Sequence, residues 1–369
     1  MRVHYVTVPM PHHASHSGYG RLLDFIRHTP LPFSDKIKRL PQEEMQQAFA
    51  EAKSFVSWYS KGDLESEANI NVLRPLINKH VCHLLYGENS LYHTQKSASN
   101  LKRIFVTFHQ PPQYHSQFVR LREPLKKVDG IIVVGTNQIP FFCEFVDPSK
   151  VFFVPHGVDI DFFAPPVDES IREKKKCLFA GNWLRDFETL VEAARLLQKA
   201  DPEIVIDVVT LEKNRFHFDG LYNVQFHCGI SERVLLTKYQ SSTVLMLPLK
   251  DCTANNTVLE AMACGLPVIT TDIGGIRDYV DDGCAGLCKP DDASGVAQTA
   301  LDLLRDRQRR DEMGRLGRRR AEKYDWRIIA SSLTAIYMQS FTVKAGVGAT
   351  GNSTVFSSYA HLLPREDIR

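Results

Sequence analysis

Short apolar runs rich in β-branched and aromatic residues alternate along this chain with longer amphipathic segments. In the first half the strand-like runs are Arg2 to Val8, Val81 to Tyr86, Ile104 to Phe108, Gly130 to Val134 and Val151 to Val154. In the second half they are Cys177 to Ala180, Glu203 to Thr210, Val224 to His227, Val244 to Leu247 and Pro267 to Thr271. Alternation of this kind is the signature of βαβ units wound about a parallel sheet, whose strands are covered on both faces and read as continuous apolar runs. A doubly wound α/β architecture is therefore expected in each half. Gln42 to Tyr59 and Leu73 to His83 carry helical spacing, and the polar stretch KGDLESEANIN between them reads as a loop. No self-similar period of 20 to 50 residues is present, which excludes solenoids.

Between the two series lies DIDFFAPPVDESIREKKK, where a proline pair and a charged run interrupt the apolar pattern, as a linker does. The length of 369 residues fits two domains at about 150 residues each. Lysine plus arginine number 45 against 43 acidic residues, a net charge of +2, too balanced for whole-surface attraction to nucleic acid. No window approaches the ~20 apolar residues of a membrane span. The first residues lack the basic-then-apolar pattern of a secretory leader, so a cytoplasmic location is expected, with room for peripheral contact at the inner face of a membrane. The eight cysteines are scattered, and the close pair Cys284 and Cys288 has no matching second pair. A structural zinc site needs four converging ligands, so no metal is expected. Near the C-terminus DRQRRDEMGRLGRRRAEKYDW mixes arginine with acidic residues at helical spacing and reads as a solvated helix. The small polar residues from Gly346 onward read as a flexible extension.

Three segments carry candidate chemistry. In HHASHSGYGRLLDFI, Gly18 and Gly20 fall where a strand gives way to a helix, the sheet edge at which α/β proteins bind ligands. Glycines there admit close approach of a phosphate, and a helix N-terminus offers unpaired N–H groups. Leu23 stands where a third glycine of a dinucleotide fingerprint would fall, so that fingerprint is incomplete, and a plain tight turn fits equally well. In IFVTFHQPP, His109 lies just past a strand at the same edge, placed to donate to a substrate hydroxyl or to present its backbone carbonyl. The third segment, TANNTVLEAMACGLPVITTDIGGIRDYV, starts a helix near Asn256 and Thr257, whose amides suit a diphosphate. Glu260 lies one turn inside that apolar helix, where a carboxylate must be paired or hydrogen-bonded, and is a candidate acceptor for two ribose hydroxyls.

The run VPHGVDIDFF, then LFAGNWLRDFETLVEAARLL and TVLEAMACGLPVITTDIGGIRDYV, closely resembles the retaining GT-B glycosyltransferases of glycosyltransferase family 4. The resemblance implies an α/β fold of GT-B type, two Rossmann-like doubly wound domains facing a central cleft. It implies an acceptor-side domain at 1–158, a linker at 159–176 and a nucleotide-sugar-binding domain at 177–325. A helix at 326–345 would cross back to the first domain, before the tail at 346–369. By position, Glu260 would bind the donor ribose, Asn256 and Thr257 the diphosphate, Gly18 the same phosphates from the opposite side, and His109 would stand beside the sugar. The activity implied is metal-independent transfer of a hexose, with retention, from a nucleotide diphosphate sugar such as UDP- or GDP-hexose to a hydroxyl of a polysaccharide, lipid or small glycoside, without a cofactor.

Two departures bear on that reading. The family carries a second glutamate eight positions before the ribose-binding one, where this chain has Cys252, followed by Thr253, Ala254 and Asn255 in place of a glycine pair. Polar contacts to the sugar then fall to Thr253 and Asn255, with Asp251 adjacent. The basic pair that clamps the diphosphate is also altered: Asn182 stands at the arginine position, and Arg185 is the nearest cation, a one-residue clamp whose planar fork matches phosphate oxygens. Asp159 and Asp161 spell a DxD pattern, read here as a linker turn. These departures motivate two alternatives: a catalytically weak sugar-nucleotide-binding partner subunit, and a sugar nucleotide epimerase of the same fold.

Overall fold

The computed structural model describes residues 3–6, 15–28, 42–55, 61–72, 80–90, 103–115, 122–172 and 175–342. Two parallel sheets organise them. The first runs β1 (Val3–Val6), β2 (Val81–Leu84), β3 (Ile104–Phe108), β4 (Gly130–Val133) and β5 (Val151–Phe153), paired in that order. The second comprises β6 (Lys176–Ala180), β7 (Val205–Val209), β8 (Val224–His227), β9 (Val244–Leu247), β10 (Val268–Thr271) and β11 (Ala285–Cys288), in the spatial order β11-β10-β9-β6-β7-β8. That order reverses direction between β6 and β9, and a crevice opens at the carboxyl ends of strands where the winding changes side. The fold therefore points to the loops after β6 and β9 as the place for a ligand.

β2, β3, β4 and β9 are buried at every position, as the continuous apolar runs required. Around the second sheet pack α3 (Phe187–Ala200), α4 (Glu232–Ser241), α5 (Asn256–Ala263), α6 (Ala293–Arg305) and α7 (Arg307–Ala321). Asp186, Ser231, Asn255, Asp292 and Asp306 cap their N-termini through side-chain oxygens, each satisfying an amide that has no partner inside its helix. One face of the first sheet packs on α1 (Gln42–Phe55). The other packs on α8 (Trp326–Thr342), whose Trp326, Ile329, Leu333 and Tyr337 share a cluster with Val3, Tyr5 and Phe105.

The end of the chain thus completes the core of its beginning. His83, fully buried, meets the Tyr337 hydroxyl with Nδ1 and the Thr107 hydroxyl with Nε2 at 2.7 Å. Burial drives its pKa down to about 3, so the ring is neutral. The linker is tied in from both sides. Val158 N–H donates to Tyr324 O at 2.8 Å, and Arg318 donates to the carbonyls of Ile160, Phe163 and Ala263 at 3.1, 3.0 and 2.7 Å.

Several expectations need correction. KGDLESEANIN is not a loop but most of α2 (Lys61–Val72): its Lys, Glu, Leu and Ala are good helix formers, and Asp63, Leu64 and Glu67 share one buried face. Of the helix read at Leu73 to His83, Val81 to His83 lie in β2 and 73–79 fall outside the described residues. β11 was missed because Ala-Gly-Leu-Cys contains no β-branched residue; pairing with β10 makes it a strand. The turn at Gly18 leads into a six-residue 3₁₀ helix, Tyr19–Asp24, and not an α-helix. The arginine-rich α7 is not simply solvated, since Arg318 and Arg320 turn inward onto backbone carbonyls. The residues from 346 onward lie outside the described set.

Gly157 lies under the Trp326 indole, which a Cβ there would strike. Gly157→Ala is expected to lose about 1 to 3 kcal/mol through overpacking. Thermal denaturation checks this against Gly20→Ala, where no atom lies within 4 Å of the added Cβ and the change should stay within about 0.5 kcal/mol.

Candidate functional site

α5 starts at the carboxyl edge of the second sheet, at the change of winding. Asn255 Oδ1 accepts from Val258 N–H at 3.3 Å, capping the helix and leaving the amides of Asn256 and Thr257 at its open end. Arg185, from the loop after β6, lies across that end. Its Nη2 donates to Thr257 Oγ1 at 3.0 Å and reaches Asn255 Oδ1 at 3.5 Å, while Nε and Nη1 donate to the carbonyls of Ala180 at 3.0 Å and Trp183 at 3.1 Å. Burial lowers the guanidinium pKa to about 10.

A cation at the N-terminus of a helix opposes the helix dipole, which favours negative charge there. Among the described residues no carboxylate forms an ion pair with Arg185. Two positive ends are therefore held together, and an anion between them would relieve both.

Glu260 sits one turn into the same helix, only 5% exposed. Its Oε2 accepts from the Tyr239 hydroxyl at 2.8 Å and its Oε1 from the Ser17 hydroxyl, which crosses from the first sheet's side of the cleft. Burial raises its pKa to about 7 despite these bonds. Gly18 is held at φ 87° and ψ 162°, a conformation that favours glycine, whereas nothing in the structure requires a glycine at position 20. A crevice of about 10 Å³, lined by His16, Ser17, Gly18, His156, Asn256 and Glu260 among others, has room for about one water molecule, because the two halves touch directly across it.

Those contacts are polar and come from both rims. Thr136 N–H and hydroxyl donate to Asp278 at 2.6 and 2.8 Å, Asn137 Nδ2 to Cys252 O at 3.0 Å, and the Trp183 indole to Gln110 Oε1 at 2.9 Å. Gln113 donates to Asp251, and Thr253 donates to the His109 carbonyl. His109 itself is more constrained than its sequence position suggested. Its Nε2–H donates to Leu85 O at 2.7 Å, its backbone N–H goes to Glu88, and Tyr19 and Tyr86 flank the ring at 4.7 and 4.8 Å. Both groups assigned to substrate, the Nε2 donor and the carbonyl, are engaged with protein in this closed arrangement.

The structure brings Arg185, Asn255, Asn256, Thr257 and Glu260 together on one lobe, with Gly18 opposite and Thr253 joined to His109 nearby. Asn182 turns elsewhere, its Oδ1 accepting from Asn214 at 2.8 Å. Cys252 is 3% exposed with its thiol on Ile273 O at 3.4 Å, and burial lifts its pKa to about 12, so it supplies no negative charge. Residues missed in the sequence include Ser17, Tyr239 and Glu88. Glu88 is buried, accepts the N–H groups of His109 and Gln110, and is pushed up to about 7 by burial. Its signal was an acidic residue at the carboxyl end of a strand, in LLYGEN.

Residues 174–306, spanning all six strands of the second sheet and the whole of α5, match the family Glycosyl transferases group 1. With the relatives that follow, this match bears out the resemblance to group 1 glycosyltransferases read from the motifs, and the two parallel-sheet lobes have the GT-B fold. It is 28% identical over 278 residues to a D-inositol 3-phosphate glycosyltransferase of Paenarthrobacter aurescens, covering 68% of this chain and 67% of that protein. It is 24% identical over 343 residues to a phosphatidyl-myo-inositol mannosyltransferase of Mycolicibacterium smegmatis, covering 87% and 83%. In fold it is similar to a sucrose-phosphate synthase from Thermosynechococcus elongatus, with a TM-score of 0.66 at 18% identity over 86% of this chain and 84% of that one. Anabaena HepE, solved in complex with UDP and glucose, gives 0.68 at 12% identity over 92% and 100%. No described helix is long and apolar enough to cross a membrane.

Glu260 carries its raised pKa only in the folded state. The folded state holds the proton more tightly than the unfolded chain, so the stability it contributes is present below the ordinary glutamate pKa and is lost as pH rises through about 7. Glu260→Gln should therefore be more stable than wild type at pH 8 by about 1 to 3 kcal/mol, the difference shrinking toward pH 4. Denaturant melts at the two pH values check it, and a variant less stable at pH 8 would contradict it.

Proposed function

We propose that the protein is a retaining hexosyltransferase that uses a nucleotide diphosphate sugar, with UDP- and GDP-hexoses as the leading donors. One observation carries the reading: Arg185 and the open end of α5 converge one helical turn from the buried Glu260 carboxylate, opposite Gly18. In this reading the diphosphate lies between the Asn256 and Thr257 amides, Arg185 and the Gly18 backbone. Glu260 accepts from two ribose hydroxyls, displacing Ser17, whose hydroxyl stands in for one of them. Thr253 and Asn255 face the sugar, and His109 lines its far side once the halves part and Thr253 releases the His109 carbonyl. Relatives named for inositol acceptors support a polyol hydroxyl, free or in a lipid headgroup, as the group that receives the hexose.

The chemistry follows from what is present. The bond from the anomeric carbon to the diphosphate oxygen breaks, the acceptor oxygen bonds to the same carbon from the same face, and the acceptor proton passes to the departing phosphate. Negative charge grows on the diphosphate in the transition state, so Arg185 and the helix end act more strongly there than in the ground state. Because these groups already supply positive charge, no divalent ion is required in this reading. With Asn182 at the arginine position, Arg185 is the one side-chain cation of the clamp among the described residues. The transferase relatives give no support to the binding-only or epimerase alternatives.

Arg185→Ala is expected to lower kcat about 100-fold or more while donor Kd rises about tenfold or less, read from steady-state kinetics and calorimetry. An equal effect on both would contradict the leaving-group role. Glu260→Ala should weaken donor binding by about 1 to 3 kcal/mol, and unchanged affinity in a folded variant would remove its ribose role. Proton NMR of the product should show the donor's anomeric configuration, in the presence of EDTA as in its absence; inversion, or loss of turnover with EDTA, would overturn the corresponding part of the proposal.

A further inference from the structure

The segment that carries Gly18 is held from across the cleft by one carboxylate. Asp159, 6% exposed and at the start of the linker, accepts at Oδ2 from His16 Nδ1 at 2.7 Å and from Arg21 Nε and Nη2 at 3.1 and 2.8 Å. Its Oδ1 accepts from the backbone N–H groups of Asp161 at 3.2 Å and Phe162 at 3.1 Å, which fixes the carboxylate on the linker turn. The His16 ring lies flat on Phe162 with centroids 3.9 Å apart, and its backbone N–H donates to Glu232 Oε1 at 2.8 Å. The DxD pattern of the sequence is thus a clasp: Asp159 grips residues 16 and 21, on either side of Gly18.

The neighbours of Gly18 are held as well, Ser17 by its hydroxyl on Glu260 and Tyr19 by burial in the first core. The Gly18 carbonyl accepts one backbone bond, from Arg21 N–H at 3.2 Å, and its backbone sits in a region that only glycine enters readily. Arg21 anchors the 3₁₀ helix that follows; on the strand side, once a ribose hydroxyl takes the place of Ser17 on Glu260, His16 is the contact that keeps the approach to Gly18 in place. A charge-assisted bond to a buried carboxylate together with a flat ring stack orients a loop residue more firmly than either one does.

We propose that Asp159 and His16 are positioning residues for the donor: they hold the Gly18 backbone where it meets the diphosphate of a nucleoside diphosphate. The inference rests on the donor site proposed above. It separates the two halves of the nucleotide, since Glu260 holds the ribose from the second lobe without the clasp, whereas the diphosphate lies between the open end of α5 and the Gly18 backbone that the clasp positions.

The test is calorimetric titration of the full chain with UDP, GDP and ADP, and with uridine, guanosine and adenosine. For whichever diphosphate binds, His16→Ala should raise its Kd about fivefold or more while the matching nucleoside changes less than about twofold. His16→Asn, whose side-chain N–H donates from nearly the position of the imidazole Nδ1, should restore the diphosphate Kd to within about twofold of wild type. Asp159→Asn, checked for folding by its thermal midpoint, should repeat the selective loss and keeps the test open if His16→Ala does not fold. Equal loss for diphosphate and nucleoside, no loss at all, or no rescue by asparagine overturns the clasp. Wild type binding with His16→Ala unchanged overturns the clasp alone, whereas wild type that binds none of the three diphosphates overturns the donor site as well.

Discussion

Helix α5 begins where Arg185 already lies, and most of this molecule's functional logic follows from that crowding of positive ends. Charge of one sign is ordinarily kept away from a helix end of the same sign, because the interaction strengthens as water is removed. Here Arg185 is half-buried against Thr257 and the carbonyls of Ala180 and Trp183, its proton affinity lowered by the loss of water around it. A raised glutamate pKa one turn further along the same helix is the counterpart: a carboxylate kept dry at some loss of stability. Groups that destabilise the empty fold yet match a diphosphate and a ribose diol are what a donor site requires.

The other lobe and the linker make that site a cleft rather than a surface. α8 returns from the second lobe to fill the core of the first, and Trp326 seats against Gly157 in the linker signature. Arg318 binds linker carbonyls from α7, and Asp159 reaches forward to Arg21 and His16. The two halves are therefore joined by α8 and by a short linker whose polar groups are satisfied by both. Across the mouth the contacts are individual hydrogen bonds, such as Thr136 with Asp278 and Trp183 with Gln110. Each is worth about 1 kcal/mol net, weak enough for a ligand to displace.

Much of this was legible from residue order. Ten of the strands follow from apolar runs, since a sheet covered on both faces leaves few polar positions to confuse the reading. The α5 region was legible because cap, amide pair and glutamate lie close together in sequence, so local geometry alone brings them together. What stayed hidden depended on distant segments. Ser17 and Glu260 are 243 residues apart, and Thr253 meets His109 across 144; no local pattern encodes such pairs. β11 was hidden because its strand conformation comes from its neighbour and not from its own residues. Asp159 looked like a turn residue and is one, but its second oxygen has a task that only the folded chain reveals.

The proposed donor places its diphosphate between Arg185, the α5 amides and the Gly18 loop, with its ribose on Glu260. The most direct measurement is a crystal structure grown with a bound nucleoside diphosphate. Phosphate oxygens are expected within hydrogen-bond distance of the Asn256 and Thr257 amides and the Arg185 guanidinium, with a ribose hydroxyl in place of Ser17 on Glu260 and a wider cleft. A nucleotide seated away from α5, or one that leaves the Ser17 to Glu260 bond intact, would contradict it.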